Sequence, residues 1–210
     1  MGQMLRDRPA TMVLMLVTGL VSLGIILSGN LNNAATALGF IPARVGGLQI
    51  TPSVLWWLTP LTATLVHGGL LHLVMNFILF AYCGRQVENV IGPGPLVVLY
   101  VIGAYAAAAG QYALDPGSVL PMVGASGAIS ALVGAYAVSF GQPKRIVASF
   151  RLNRWLNVAW LMVAWVLLQM MIGYLMGQQG MLLATGAHIG GFIAGVLLQK
   201  PLLLWRYRGA

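Results

Sequence analysis

His67, His72, Asn76, Ser126, Ser130 and His188 are the side chains of this sequence whose types and spacing suit nucleophilic chemistry. Ser126 lies in Gly124-Ala125-Ser126-Gly127, shortly after Pro121, where a loop enters an apolar run. At a helix start the first backbone N–H groups have no helical partner, and the macrodipole favours negative charge. A serine there is placed to develop alkoxide character while adjacent N–H groups hold an oxyanion. Alone it is a weak nucleophile and needs a base within hydrogen-bond reach. His188 is the candidate base. His72 and Asn76 are four residues apart, on one helical face, and both can donate to a developing oxyanion.

Such a constellation depends on the elements that carry it. With 59% hydrophobic and only 7% charged residues, the composition excludes an ordinary soluble domain, in which charged residues make up about a quarter. The 210 residues suffice for six membrane helices with short connections, so the chain reads as one domain over 1–210. The first apolar run, 11–29, is too long for a signal-peptide core and is expected to be a retained span. Five more follow at 65–84, 94–112, 125–141, 156–176 and 186–205. Between the first two, Asn30, Asn32, Asn33, Pro42, Gly46, Gly47, Pro52 and Pro60 break the chain beside Trp56-Trp57, which marks a long interfacial loop. The fold class is therefore an all-α membrane bundle of six helices.

The basic residues sit at the ends of apolar runs and form no patch for nucleic acid. With the amino terminus in the cytoplasm, Arg6, Arg8, Arg85, Lys144, Arg145, Arg151, Arg154, Lys200, Arg206 and Arg208 fall inside and only Arg44 outside. That asymmetry fits the positive-inside rule and an even number of spans, with both termini cytoplasmic. The second, fourth and sixth spans then run from outside to inside. The candidate residues fall in or near their first two turns, at one depth below the outer surface. Polar side chains in a membrane are expensive and face the bundle interior, so convergence on one layer is the core of the functional argument.

Taken singly, each residue has a plainer reading. Serine and glycine are common packing residues in membrane helices, a lone histidine sits at interfaces, and an asparagine clamps neighbouring helices. Gly127, Ala131 and Gly134 on the fourth span and Gly190, Gly191 and Gly195 on the sixth allow the close approach that a serine–histidine contact requires. Cys83 is the one cysteine, which excludes an internal disulfide.

At these residues the chain resembles the rhomboid intramembrane serine proteases. The resemblance rests on His67, His72 and Asn76, on Glu88-Asn89-Val90-Ile91-Gly92, on Gly124-Ala125-Ser126-Gly127, and on Ala187-His188-Ile189-Gly190-Gly191 with Gly195. It covers essentially the six-helix core. It implies a hydrolase that cuts peptide bonds in or near transmembrane segments of other membrane proteins, with Ser126 as nucleophile and His188 as general base. It further implies His72, Asn76 and the Ser126 backbone N–H as oxyanion stabilisers, His67 and Gly124 at the substrate entrance or in support, and Glu88 as a structural carboxylate. The implied location is a bacterial inner membrane, with the site toward the outer side. Two departures stand out: many members carry an aromatic residue four positions after the serine, where this chain has Ser130, and a Trp-Arg pair in the outer loop, where it has Trp56-Trp57.

The acids are Asp7, Glu88 and Asp115, none of them placed within the bilayer, so a Ser–His dyad is expected in place of a triad. The substrate helix must unwind locally, since the peptide bonds of an intact helix are hydrogen-bonded and shielded. The resemblance suggests entry beside the fifth span, where Trp160, Trp165, Met170 and Met171 are candidates for a lateral gate capped by Gly177-Gln178-Gln179-Gly180. No metal or organic cofactor is expected. A binding protein of the same fold that has lost catalysis would lack the serine or the histidine. A haem or metal protein fits poorly with His67 and His72 five residues apart, and a proton-coupled transporter with the lack of a midplane acid.

Overall fold

The computed structural model describes residues 9–141, 146–175 and 184–208. Arg6, Asp7, Arg8, Lys144, Arg145 and the loop Gly177-Gln178-Gln179-Gly180 lie outside the described residues. In chain order the main helices are α1 (Pro9–Leu27), α2 (Leu31–Leu38), α3 (Leu70–Ile91), α4 (Pro93–Leu114), α5 (Ser126–Phe140), α6 (Phe150–Leu175) and α7 (Thr185–Tyr207). Among the described residues, α1, α3, α4, α6 and α7 are long and apolar enough to cross a membrane. The fold is an all-helical membrane bundle, and α5 is its sixth apolar helix.

Helix α5 explains the layering. It has 15 residues, ten of them buried, including Ser126, Gly127, Ser130, Ala131 and Gly134. At 1.5 Å per residue it is about 22 Å long, short of the roughly 30 Å of a hydrocarbon core. Its first residue therefore cannot lie at one face of the bilayer while its last reaches the other. α4 and α7 enclose it through small residues. A Cβ on Gly191 would run into the Gly127 carbonyl, one on Gly195 into the Ala131 carbonyl, and one on Gly134 into the Phe192 carbonyl. Gly190 faces elsewhere than the sequence suggests: it lies on α4, against Ala106 and Gly110, as Gly186 does.

Helix α3 begins later than the apolar pattern indicates, at Leu70, because Gly69 has φ +145° and breaks the chain direction. His67 consequently sits in the loop ahead of the helix that carries His72 and Asn76. The helix also runs further, through a π turn at Phe80–Gly84 to Ile91. Near its end Glu88 accepts the N–H groups of Ala10 (3.0 Å) and Thr11 (2.9 Å) and the Thr11 hydroxyl (2.5 Å). This buried carboxylate satisfies otherwise orphaned donors and meets the positive end of the α1 dipole.

The long loop between α1 and α3 braces the start of α5. Phe40 and Met122 exchange backbone hydrogen bonds of 3.0 and 2.8 Å, and Gly124 N–H donates to Ala63 O at 2.9 Å. The loop itself is tied by Arg44 Nη2, which donates to Val54 O at 2.8 Å, and by Tyr105 Oη, which donates to Trp57 O at 3.0 Å. Basic side chains gather at the far end of the bundle. Arg154 donates to Val138 O at the carboxyl end of α5 (3.1 Å), and Arg206 to Asn89 O near that of α3.

The close approach of α5 and α7 yields the first prediction. Gly195→Ala should lower unfolding free energy in detergent by about 1–3 kcal/mol, because its methyl group meets backbone. Gly24→Ala, inside α1 where nothing lies within 4 Å, should not lower the unfolding midpoint, since alanine is the better helix former.

Candidate active site

Ser126 is the first residue of α5, so its N–H and those that follow point out of the helix start. His188 lies in the first turn of α7. The small-residue contact between these helices brings His188 Nε2 to 3.0 Å from Ser126 Oγ. Ser126 is 7% exposed and His188 1%. With Nε2 accepting from the serine hydroxyl, the ring proton resides on Nδ1. His188 Nδ1 is buried and has no hydrogen-bond partner among the described residues.

On the other side of the serine, His72 Nδ1 accepts the Gly68 N–H at 3.2 Å, which assigns its proton to Nε2. That Nε2–H is buried without a partner among the described residues. It is a spare donor close to the nucleophile. A Cβ on Gly124 would stand 2.9 Å from His72 Nε2 and 3.9 Å from Ser126 Oγ. Asn76, one turn along the same face, donates from Nδ2 to His72 O at 2.9 Å. Among the described residues it makes no hydrogen bond to Ser126, and its amide retains a second N–H.

His67 takes a supporting position. Ser22 Oγ donates to Leu65 O (2.8 Å), and His67 Nδ1–H then donates to Ser22 Oγ (2.8 Å). His67 Nε2 is left to accept the Ala125 N–H at 3.3 Å, directly before the nucleophile. Its ring also meets that of His72 edge to face, centroids 5.0 Å apart. The fully buried His67 thereby links α1, the α3 approach and the α5 start.

Ser130 donates to Ser126 O at 2.7 Å and accepts from Trp165 Nε1 at 2.8 Å. Gln169 Nε2 lies 3.3 Å from His188 Nε2. Of the bulky α6 residues singled out in the sequence, Trp165 points inward, 5% exposed, while Trp160 and Met171 are 65% and 54% exposed. The polar set assembled from the sequence omits Gln169 and Ser22. Both were legible by the same criterion, a polar side chain within an apolar span.

A helical membrane bundle that holds a buried serine–histidine pair beside a spare imidazole N–H is the class of protein this site defines. Comparison makes it specific: the rhomboid domain model matches residues 55–205. The rhomboid protease GlpG of Pectobacterium atrosepticum is 31% identical over 191 residues, covering 90% of this chain and 61% of that protein. GlpG of Photorhabdus laumondii is 32% identical over 137 residues, 65% of this chain and 44% of that protein. RHOMBOID-like protein 7 of Arabidopsis thaliana is 29% identical over 146 residues, 69% of this chain and 42% of that protein. The chain belongs to the rhomboid family, and it spans less than two thirds of the length of these relatives.

Gly124 is the position where the site leaves no room for a side chain. Its φ is +112°, and an added Cβ would lie 2.8 Å from His72 Cε1. Gly124→Ala should cost about 1–3 kcal/mol of stability and displace the His72 ring, seen as a shifted His72 imidazole nitrogen signal in NMR spectra. An unmoved signal and an unchanged unfolding midpoint would contradict this geometry.

Proposed function

We propose that the protein is an intramembrane serine endopeptidase that hydrolyses peptide bonds in or near transmembrane segments of other membrane proteins. The observation that carries this reading is the 3.0 Å contact between Ser126 Oγ and His188 Nε2, set beside His72 Nε2–H, which has no partner among the described residues. Ser126 Oγ attacks the scissile carbonyl carbon as its proton passes to His188 Nε2. The resulting oxyanion is held by the Ser126 backbone N–H at the α5 start, by His72 Nε2–H, and by the second N–H of Asn76. His188 then returns the proton to the leaving amine, and water hydrolyses the acyl-enzyme by the same steps in reverse roles.

A dyad is supported by the surroundings of His188: no carboxylate touches it among the described residues, and Asp115 lies beyond the end of α4. His67 and Gly124 act as supports of the loop that presents the serine and of the His72 ring. The reading further takes the chain as a single domain in a bacterial inner membrane. Both termini are cytoplasmic and the site is toward the outer side, in keeping with the basic side chains at the opposite end of the bundle. The two relatives named rhomboid protease lend weight to the same activity.

The test is cleavage of a model transmembrane substrate in liposomes, paired with labelling by a fluorophosphonate probe. Wild type should cleave and label. Ser126→Ala should do neither, and His188→Ala should lose cleavage. His72→Ala should lose about 10²-fold in kcat, the scale of removing one oxyanion donor, and Asp115→Asn should match wild type. A cleaving Ser126→Ala would end the proposal, as would loss of turnover in folded Asp115→Asn for the dyad.

A further inference from the structure

Neither Ser130 nor Trp165 enters the steps proposed above, yet both are buried and in contact with the two residues that do. We infer that Trp165 of α6, acting together with Ser130, is the positioning device for His188. The inference rests on the serine-protease reading above.

Three contacts make the case. The Trp165 ring meets the His188 ring at 73°, with centroids 6.5 Å apart, an edge-to-face arrangement within the range at which aromatic pairs attract. Its Nε1–H donates to Ser130 Oγ at 2.8 Å, and the Ser130 hydroxyl passes its own proton on to Ser126 O at 2.7 Å. One side chain therefore reaches both members of the dyad, the histidine through its ring and the serine through a two-bond relay. Gln169, one turn along α6 on the same face, adds a contact to His188 Nε2.

The geometry also explains why a small residue stands at 130. Ser130 is fully buried, and its Cβ lies only 3.1 Å from where a Cβ on Gly191 would be. α5 and α7 approach so closely here that the ring support comes from a third helix. The hydroxyl cannot be dispensed with. A buried indole N–H without an acceptor carries a desolvation penalty, and Ser130 Oγ is the acceptor in reach. Trp165 is thus held at both its ring and its N–H, which fixes the orientation of the face it offers to His188.

The experiment compares Trp165→Phe, Ser130→Ala and the double variant with wild type for kcat and KM on the transmembrane substrate. Trp155→Phe, at an exposed position of the same helix, is the control. Trp165→Phe keeps a ring and loses the N–H, so it and Ser130→Ala should each lower kcat about tenfold with KM within about twofold. The double variant should fall by the same factor as either single change, because one relay is broken in all three. Trp165→Ala should lose about 100-fold. As this removes a buried ring, its melting temperature is recorded alongside and the Phe variant carries the decision. Unchanged kcat in Trp165→Phe, or losses that multiply in the double variant, would overturn the inference. So would a loss confined to KM.

A second readout needs no turnover. In 15N-labelled protein the His188 imidazole signals, assigned by their disappearance in His188→Ala, should shift in Trp165→Phe and in Ser130→Ala but not in Trp155→Phe. If wild type neither cleaves nor labels, the protease reading fails while this shift still decides the placement of His188. If wild type cleaves and the signals stay put, the positioning role fails and the protease reading stands.

Discussion

The near-contact of the α5 and α7 backbones is the constraint on which the site depends. A serine side chain reaches only a short distance from its own helix, so Ser126 Oγ meets an imidazole on a neighbour only where the two helices almost touch. Gly191 and Gly195 of α7 against the carbonyls of Gly127 and Ala131 supply that proximity. In lipid, apolar side chains gain little by facing protein over acyl chains, so close packing of small residues is a principal force holding such helices together. The residues that stabilise the bundle are therefore the same ones that set the serine–histidine distance. Enlarging one of them acts on both properties through one displacement.

Where that contact falls in the membrane is decided by the length of α5. A full-length span would bring its amino terminus to the surface. A 15-residue helix leaves at least one end below a face, and with its start at the proposed depth the chain leading to it passes through a region where unpaired backbone groups are costly. The long loop after α1 and the α3 approach meet that cost: Ala63 O takes the Gly124 N–H, His67 takes the Ala125 N–H, and Phe40 pairs with Met122. The donors that follow, from Ser126 onward, are at the helix start and are the ones the proposed chemistry uses. His67 is then best understood as part of this accounting, a buried acceptor for a backbone N–H, which also orients the neighbouring His72 ring.

Much of this was legible in the sequence, for identifiable reasons. The spans announce themselves by composition, and Ser126, His188, His72 and Asn76 by their cost in an apolar setting. The break before α3 was harder to place. The apolar pattern continues through Leu61 and Leu65, and only the φ of Gly69 shows that His67 lies off the helix. Gly190 illustrates a different limit: consecutive glycines at 190 and 191 belong to different interfaces, one with α4 and one with α5, and sequence spacing does not say which. Trp165 marks a third. Bulky residues recur along α6, and a single sequence gives no means of telling the one that turns inward from those that face lipid.

Packing alone constrains α6 weakly: 17% of its apolar stretch is buried, against 44% for α4 and α7. Apolar faces of α6 lose little by exchanging protein for lipid. Directional contacts with the rest of the bundle add to that packing: the Trp165 N–H to Ser130, the Gln169 amide beside His188, and at the other end the Arg154 guanidinium, which donates to Val138 O of α5 at 3.1 Å. The first two are polar groups whose alternative in hydrocarbon is to go unpaired. Among the described residues the least buried of the spanning helices is thus held in good part by hydrogen bonds, and two of its contacts end on or beside the proposed dyad. A displacement of α6 that broke them would leave the rigid α4–α5–α7 core intact while removing the lateral support of His188.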